Sequence, residues 1–347
     1  MKALTSETIS KMVQGRLEIP SEIMVNQISI DTRTLEKGSL FIAIKGENFD
    51  GHDYIKQAIK NGASLVMVRE GTSLPGKVPA IFVNDTLKAL GMLAHEYRKL
   101  FNRPVAAITG SVGKTNTKER LAAILSARYN VHKSMGNYNN DIGLPLSVLE
   151  MNDEHEVAVF EMGMRGFDEI STLSEIVNPD IAVITNLGIS HIERLGSRQN
   201  ILKAKLEILE GMTNKGVVVL NGDDELLSGL KDLLPQKTLF YGIDEDQDVW
   251  AYDLSSRGEE GVYFQVKTQT NDMKLFIPAP GIHNVHNALA GIAVAETLNM
   301  SEDEIKKGLE SFSGEQMRLS IEEKDGIKFI NDSYNAAPAS MTAAIDV

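Results

Sequence analysis

Residues 105–117 read Val-Ala-Ala-Ile-Thr-Gly-Ser-Val-Gly-Lys-Thr-Asn-Thr. This order predicts a short apolar strand, a glycine loop and a helix that begins near Lys114. Gly110 and Gly113 allow backbone N–H groups to turn inward around an anion, and the helix directs its positive end at the same point. Lys114 supplies a cation for the terminal phosphates and Thr115 supplies a hydroxyl for Mg²⁺. The stretch therefore predicts a site for a nucleoside triphosphate.

The spacing of this loop differs from the common phosphate-binding pattern G-x-x-x-x-G-K-[ST]. That pattern would place its first glycine at position 108, which is Ile108, whereas here only two residues separate Gly110 from Gly113. A plain glycine turn before a helix is the alternative interpretation. It does not explain why lysine and threonine follow the second glycine directly at the end of an apolar strand. The phosphate site is therefore the favoured interpretation.

Composition and charge limit the partners of the chain. Its 347 residues are 42% hydrophobic and 24% charged, which is ordinary for a globular protein of two or three domains. There are 35 Lys and Arg against 48 Asp and Glu, and the net charge of −13 disfavours nucleic acid and anionic lipid. Cysteine is absent, which excludes disulfides and thiolate sites. Without a signal core or a membrane-spanning run, we expect a cytoplasmic, ATP-using protein with no membrane insertion.

The pattern of strands and helices predicts an α/β protein in three parts. Residues 1–100 form a small mixed α/β domain, and residues 101–313 form a central domain with a mostly parallel sheet. Residues 314–347 are too few for a domain, so they predict the beginning of a truncated third α/β domain. The apolar runs of the central domain and its β-rich excursion are residues 105–109, 157–160, 181–185, 217–220 and 249–277.

Two further candidates follow predicted strands, where functional residues gather in parallel sheets. Glu161 comes directly after the run 157–160, where a carboxylate can bind Mg²⁺ or merely end the strand. His191 lies in the loop after the run 181–185 and can bind a metal or a substrate anion. A histidine in a loop can equally do neither, so its position in the sheet carries this assignment.

Lys205 lies in the apolar stripe of a helix predicted around residues 201–212. Apolar residues three or four positions away share its face, and charged residues share the opposite face. The apolar set is Ile201, Leu202, Ile208 and Leu209, and the charged set is Lys203, Glu207 and Glu210. Burial would lower the pKa of the Lys205 amine, and a neutral amine can react with CO₂ to give a carbamate, an anionic metal ligand. The alternative is a lysine whose amine extends to water.

Taken in order, these motifs resemble the Mur ligases of peptidoglycan synthesis over essentially the whole chain. The stretches that carry the resemblance are residues 31–33 (Asp-Thr-Arg), 40–46, 50–53 (Asp-Gly-His-Asp), 109–115, 136–145, 161–165, 185–191, 204–208, 281–288 and 331–338. Residues 139–145, 161–164 and 332–336 are similar to the members that add D-Ala-D-Ala, rather than those that add L-Ala, D-Glu or the third residue. Two features depart from the family: Asn116 replaces a usual Ser or Thr, and most of the C-terminal domain is missing.

The resemblance implies an ADP-forming amide ligase of cell-wall biogenesis, on which cell shape and cell division depend. ATP would phosphorylate the terminal carboxylate of UDP-N-acetylmuramoyl-tripeptide, and the amine of D-alanyl-D-alanine would then displace phosphate. Two Mg²⁺ ions are implied, and a monomer is expected. Because the C-terminal domain closes over ATP in this family, truncation predicts weak nucleotide binding, detectable UDP-sugar binding and little or no turnover.

The resemblance also implies roles for single residues, with Lys114, His191 and Lys205 as the catalytic set. Gly110, Ser111, Val112, Gly113, Lys114, Thr115, Asn116, Asn287, Arg318 and Asp332 would bind ATP. Thr115 and Glu161 would bind the first Mg²⁺, and His191 and a carbamate on Lys205 the second. Thr32, Arg33, Gly46, Asn48, His52, Asn139 and Asn140 would contact the UDP-sugar substrate.

Two other interpretations stay open at this point. Folylpolyglutamate synthase shares the phosphate loop and the amide-forming chemistry, although the Asp-Gly-His-Asp segment at residues 50–53 argues against it. The other is a module that binds nucleotide or UDP-sugar without catalysis. Folate with glutamate as competing substrates would test the first, and calorimetry beside a turnover assay would test the second.

Overall fold

The computed structural model describes residues 1–19, 22–245, 247–312, 320–324, 326–333 and 338–345. The chain divides into two compact units. The first comprises Met1–Asn102, Tyr138–Glu154 and Glu175–Asn178, and the second comprises Arg103–Asn137, His155–Ser174 and Pro179–Val347. Residues 138–154 therefore group with the N-terminal residues, although they follow the predicted boundary at residue 100. Arg318, a predicted ATP contact, lies outside the described residues.

The described elements alternate between strands and helices along most of the chain. The strands are β1 (Leu4–Thr5), β2 (Arg16–Leu17), β3 (Met24–Val25), β4 (Ile28–Ser29), β5 (Leu40–Ile42), β6 (Leu65–Arg69), β7 (Ala80–Val83), β8 (Val105–Thr109), β9 (Val131–Lys133), β10 (Val157–Glu161), β11 (Ile181–Ile184), β12 (Val217–Asn221), β13 (Lys237–Gly242), β14 (Val249–Ser256), β15 (Val262–Lys267), β16 (Asp272–Ile277), β17 (Ser320–Lys324) and β18 (Ile327–Asn331). The helices are α1 (Ser6–Met12), α2 (Ile55–Asn61), α3 (Thr86–Arg98), α4 (Lys114–Ser126), α5 (Gly143–Leu149), α6 (Glu169–Val177), α7 (Ile192–Leu195), α8 (Arg198–Leu206), α9 (Glu225–Ser228), α10 (Ile282–Thr297), α11 (Glu302–Glu310) and α12 (Pro338–Ile345). None of these described helices is both long and apolar enough to cross a membrane.

The first unit is built on a five-stranded sheet in the order β2-β7-β6-β5-β4. Only the β2–β7 pair is antiparallel, and the other three pairs are parallel. β6 and β7 are almost wholly apolar and buried, as expected for strands that are covered on both faces. Helix α3 begins where the Asp85 carboxylate accepts the N–H groups of Leu87 and Lys88.

The second unit contains a nine-stranded sheet in the order β16-β15-β14-β13-β12-β11-β8-β10-β9. All pairs from β9 to β14 are parallel, and β14, β15 and β16 form an antiparallel extension. The predicted α/β class, the parallel strands of the central region and the β-rich excursion at residues 249–277 are thus confirmed. β17 and β18 form a separate antiparallel hairpin.

The strand order marks one place at the edge of the second sheet where a ligand can enter. β8 lies between β10 and β11. After β8 the chain forms β9 and β10 on one side of it, and then crosses to form β11 on its other side. In open parallel sheets, ligands bind outside the carboxyl ends of the strands at such a reversal. The carboxyl ends of β8, β10 and β11 are therefore where the candidate site should be sought.

The helix around Lys205 is shorter than the sequence predicts. α8 ends at Leu206 and a 3₁₀ turn follows over Glu207–Leu209. The tighter turn rotates Glu207 inward, and its carboxylate accepts N–H groups of Asp168 (2.9 Å) and Ser171 (3.2 Å) near the beginning of α6. Burial raises the pKa of Glu207. Glu207 is therefore buried, although the sequence placed it on the face opposite the apolar stripe together with the exposed Lys203 and Glu210.

Candidate active site

Three neighbouring strands end at the same edge of the second sheet. β8 ends at Thr109, β10 at Glu161 and β11 at Ile184. The Thr109 hydroxyl donates to the carbonyl of Met162 at 2.9 Å, which fixes the first two ends against each other. The loop 110–113 continues from β8, between the ends of β10 and β11. The predicted phosphate loop therefore lies in the middle of these three strand ends.

The two loop glycines are required by their backbone angles and by close neighbours. Gly110 has φ 154°, and a Cβ at this position would overlap the hydroxyl oxygen of Thr185. Gly113 has φ 79° and is the residue before α4, where no side chain caps the helix. A Cβ on Gly113 would lie 3.1 Å from Asn287 Oδ1. The positive end of this 13-residue helix can therefore bind an anion.

Residues that follow β11 hold the loop in shape. The N–H groups of Ser111 and Val112 donate to the backbone and side-chain oxygens of Asn186, at 3.1 and 3.0 Å. The Val112 carbonyl accepts the Thr185 hydroxyl at 2.8 Å and the Asn186 amide at 3.0 Å. Because these bonds come from a neighbouring strand end, the loop is organised before a nucleotide arrives. Sequence analysis assigned no role to Thr185 and Asn186 in this loop.

Lys114 folds back over the loop that precedes it. Its Nζ lies 2.9 Å from the Gly110 carbonyl and 3.4 Å from the Ser111 carbonyl. A lysine ammonium held against such a loop acts as a point charge for phosphate oxygens. The role of Lys114 at the β- and γ-phosphates stays a prediction.

We expect Gly110→Ala to destabilise the second unit and to abolish ATP binding. The added methyl group meets the Thr185 hydroxyl at a backbone angle that side chains rarely adopt, so a loss of about 3 kcal/mol in the free energy of unfolding is expected. Gly196→Ala is the matched control, since Gly196 has φ 81° with nothing within 4 Å of the added Cβ, and it should cost about 1 kcal/mol. Urea denaturation and ATP calorimetry measure both effects. Equal losses in the two variants would show that the close approach to Thr185 is unimportant.

Three of the predicted ATP contacts lie farther along the chain: Asn287, Asp332 and Arg318. Asn287 is buried on α10, and its Oδ1 accepts the Thr117 hydroxyl of α4 at 3.0 Å. It therefore lies beside the beginning of α4 and the phosphate loop. The pKa of His283 is lowered, mainly because the ring is buried. The charge of Asp332 opposes part of this shift, so Asp332 interacts electrostatically with His283. Arg318, as noted, is not among the described residues.

Glu161 is almost fully buried at the end of β10 and lies close to α4. Its N–H donates to the Ser134 hydroxyl at 3.2 Å, and its Oε2 lies 4.0 Å from Lys118 Nζ. Lys118 is on α4, three residues after the buried Thr115, so the two share a face of the helix. Lys118 was not among the residues predicted from the sequence.

The positive charges of Lys114 and Lys205 act on His191, and the charge of Lys114 acts on Lys205. Lys205 is buried, and its pKa is lowered well below the usual value. Desolvation is the larger cause, and the charge of Lys114 is the second. The pKa of His191 is lowered by desolvation and by Lys205 and Lys114. His191 also has φ 62°, a left-handed conformation that is uncommon for residues other than glycine. Among the described residues, no carboxylate forms an ion pair with the Lys205 amine.

The oxygen atoms of Thr115 and Glu161 fit Mg²⁺, which takes few protein ligands and completes its shell with phosphate oxygens and water. Within the described ranges, no three histidine or acidic side chains are placed to hold a metal by themselves. His191 and Lys205 offer only nitrogen, which suits Mg²⁺ poorly. A carbamate on Lys205 would supply the missing oxygens. The chain therefore fits Mg²⁺ that is shared with a nucleotide.

In the first unit, His52 has both ring nitrogens engaged. Its Nδ1 lies 2.5 Å from Asp50 Oδ1, and its Nε2 accepts the Arg69 N–H at 3.1 Å. The ring therefore holds the Asp-Gly-His-Asp turn against β6. The guanidinium of Arg33 is 86% exposed and donates to Asp31, with its closest contact at 2.6 Å. This pairing lowers the pKa of Asp31 to about 2. Arg33 remains accessible to an anionic ligand.

The other predicted UDP-sugar residues of this unit lie in loops. The Thr32 carbonyl accepts the side-chain amide of Asn61 at 2.7 Å, and Asn48 is exposed. Asn140 Oδ1 accepts the Gly143 N–H at 2.8 Å and so starts α5. The remaining two, both partly exposed, are Gly46 and Asn139. All seven residues predicted for the UDP-sugar lie in the first unit.

Comparison with known families matches both units. The Mur ligase middle domain matches residues 108–295, which is more than half of the chain, and the Mur ligase family catalytic domain matches residues 24–98. The chain therefore belongs to the Mur ligase family, and the resemblance noted from its motifs is confirmed. The described α/β architecture agrees with this assignment.

Relatives and solved structures extend the similarity over nearly the whole chain. The chain is 43% identical to the UDP-N-acetylmuramoyl-tripeptide–D-alanyl-D-alanine ligase of Bacillus subtilis (strain 168), over 99% of this chain and 75% of that protein. The ligase of the same name from Escherichia coli (strain K12) is 34% identical, over 100% and 76%. MurF from Acinetobacter baumannii is similar in structure, with a TM-score of 0.93 at 34% identity over 100% of this chain and 76% of that one. MurF from Thermotoga maritima, solved in complex with ADP, has a TM-score of 0.83 at 30% identity, over 92% and 74%.

Proposed function

We propose that this chain is an ATP-dependent ligase that joins D-alanyl-D-alanine to UDP-N-acetylmuramoyl-tripeptide in peptidoglycan precursor synthesis. The observation that carries the proposal is its 43% identity, over 99% of the chain, to a ligase named for that reaction. The phosphate loop and the cluster of Lys114, His191 and Lys205 supply chemistry suited to it. The likeness to an L. casei FPGS, at 17% identity and a TM-score of 0.59, concerns the fold alone.

The reaction requires a carboxylate to be activated, because a carboxylate is a poor electrophile at neutral pH. A carboxylate oxygen of the tripeptide attacks the γ-phosphorus of ATP, ADP leaves and an acyl phosphate forms. The amine of D-alanyl-D-alanine then attacks the acyl carbon, phosphate leaves and the nitrogen loses a proton. The positive end of α4 and the Lys114 ammonium offset the repulsion between the two anions. Bound Mg²⁺ supplies further charge on the phosphate oxygens.

Residue roles within this proposal follow the sites described above. Loop residues 110–116 bind the triphosphate, with Asn287 and Asp332 as further ATP contacts. Thr115 and Glu161 hold one Mg²⁺, and His191 with carbamylated Lys205 holds a second. Since both His52 nitrogens are engaged, we assign it to shaping the UDP-sugar pocket that Arg33 and the neighbouring loops contact.

The same proposal covers organisation and location. We assign residues 1–100 to UDP-sugar binding and residues 101–313 to ATP binding, with residues 138–154 contributing to the first. The protein acts in the cytoplasm as a monomer. Its small-molecule partners are ATP, UDP-N-acetylmuramoyl-tripeptide and D-alanyl-D-alanine.

Phosphate release by the complete protein tests this function. We expect release to require UDP-N-acetylmuramoyl-tripeptide, ATP and D-alanyl-D-alanine together, with the pentapeptide product detected by mass spectrometry. Folate with glutamate is the control substrate pair and should give no product. Product from the folate pair, or ATP binding without any turnover on the muramyl substrates, would contradict the proposal.

A further inference from the structure

Lys118 is a fully buried lysine of α4 to which the roles above assign nothing. Its side chain is 0% exposed, and its Nζ lies 3.0 Å from the Gly136 carbonyl, 3.1 Å from Glu119 Oε1 and 4.0 Å from Glu161 Oε2. An ammonium group has three donors and no acceptor, and a buried charge is costly unless it is paired. These contacts therefore hold the cation at one fixed point.

The partners of Lys118 connect three parts of the candidate site. Glu161 ends β10, and Gly136 lies in the loop after β9. Ser134, in the same loop, accepts the Glu161 N–H at 3.2 Å. Thr115 is one turn before Lys118 on the same face of α4. Lys118 thus connects the helix that follows the phosphate loop both to the proposed Mg²⁺ ligand and to the loop beside it.

We propose that Lys118 is a positioning residue that orients the Glu161 carboxylate for Mg²⁺ and fixes the 134–137 loop against α4. This inference rests on the proposed function, in particular on Mg²⁺ binding by Glu161. At 4.0 Å, Lys118 attracts the carboxylate by charge without forming a direct hydrogen bond to Oε2. Groups that orient a metal ligand in this way change metal affinity by about 10- to 100-fold when they are removed.

Lys133 provides a matched control within the same charge cluster. It forms an ion pair with Glu119, the carboxylate that also pairs with Lys118. Its side chain is 38% exposed, whereas that of Lys118 is fully buried. Removing Lys133 therefore removes one positive charge beside Glu119 and leaves the Lys118–Glu161 contact in place.

The test measures how ATP binding depends on Mg²⁺, by calorimetry, in wild type, Lys118→Met, Lys118→Arg and Lys133→Met. For Lys118→Met we expect the Mg²⁺ concentration at half-saturation to rise about 10- to 100-fold, with metal-free ATP affinity unchanged. Lys118→Arg keeps the charge but spreads it over a planar group, so an intermediate rise is expected. Lys133→Met should match wild type. Thermal melting and UDP-sugar binding by the first unit report whether each variant is folded.

Three results would overturn the inference. One is equal weakening of ATP binding by Lys118→Met with and without Mg²⁺, which a merely structural role would give. Another is a Mg²⁺ dependence that is the same for Lys118→Met and Lys133→Met. If Lys118→Met does not fold, the third result applies: a Mg²⁺ dependence of ATP binding in Lys118→Arg that equals wild type would overturn the inference. Absence of Mg²⁺-dependent ATP binding in wild type is distinguishable from these, and it would refute the proposed metal site together with the inference.

Discussion

Replacing Lys114 with alanine is expected to abolish productive ATP use by this protein. The Lys114 ammonium lies over the loop carbonyls of Gly110 and Ser111, next to the uncapped beginning of α4. Without it, the β- and γ-phosphates lose their mobile countercharge, while the positive end of α4 remains. Removal of one such charge-stabilising group lowers turnover by about 10²- to 10³-fold. The measurement is phosphate release by the complete protein at saturating substrates.

Lys274→Ala is the control for Lys114→Ala. Lys274 is an exposed lysine on β16, in the antiparallel extension of the same sheet. The variant carries the same loss of one positive charge, so a general effect of net charge would appear in both proteins. We expect Lys274→Ala to keep wild-type turnover. Undiminished turnover in Lys114→Ala would contradict the role of the phosphate loop.

Lys205→Ala is the second variant with a large expected effect. The buried amine has a pKa well below its usual value, so it stays neutral at a lower pH than a surface lysine does. Only the neutral amine reacts with CO₂, and the carbamate would provide oxygens beside His191. Loss of this group should lower turnover by about 10²- to 10³-fold. Wild type should lose activity in CO₂-depleted buffer and regain it with bicarbonate, whereas Lys205→Ala should not respond.

Lys203 on the same helix separates carbamate formation from a general lysine effect. It is exposed on α8, two residues before Lys205. Carbon-13 NMR with labelled bicarbonate at neutral pH should show one carbamate signal in wild type and in Lys203→Ala, and none in Lys205→Ala. The signal should fade as the pH is lowered, because protonation removes the reactive amine. A signal that persists in Lys205→Ala would contradict the assignment.

The sequence was sufficient for features that depend on local pattern. The strand, loop and helix at residues 105–126 follow from an apolar run, two glycines and a helical stretch. The apolar stripe around Lys205 was also predicted, and Ile201 and Ile208 are fully buried; whether the Lys205 amine extends to water was left open by the sequence and is decided by its burial. The same reasoning could have found Lys118, because it shares a face of α4 with the buried Leu121 and Leu125.

Features that depend on distant contacts could not be read in this way. The strand order that places β8 between β10 and β11 has no local signal, and neither does the role of Asn186 in holding the loop. The inward turn of Glu207 depends on N–H groups at Asp168 and Ser171. The grouping of residues 138–154 with the first unit likewise arises from packing across a long separation in sequence.

Transfer of oxygen from the tripeptide to phosphate tests the central claim most directly. We propose that a triphosphate bound by the loop at residues 110–115 activates a carboxylate as an acyl phosphate. If both oxygens of the terminal carboxylate of UDP-N-acetylmuramoyl-tripeptide are labelled with ¹⁸O, the complete protein should release phosphate that carries one ¹⁸O atom for each amide formed, as read by mass spectrometry, and the second label should remain in the amide. Amide formation with unlabelled phosphate would contradict the account.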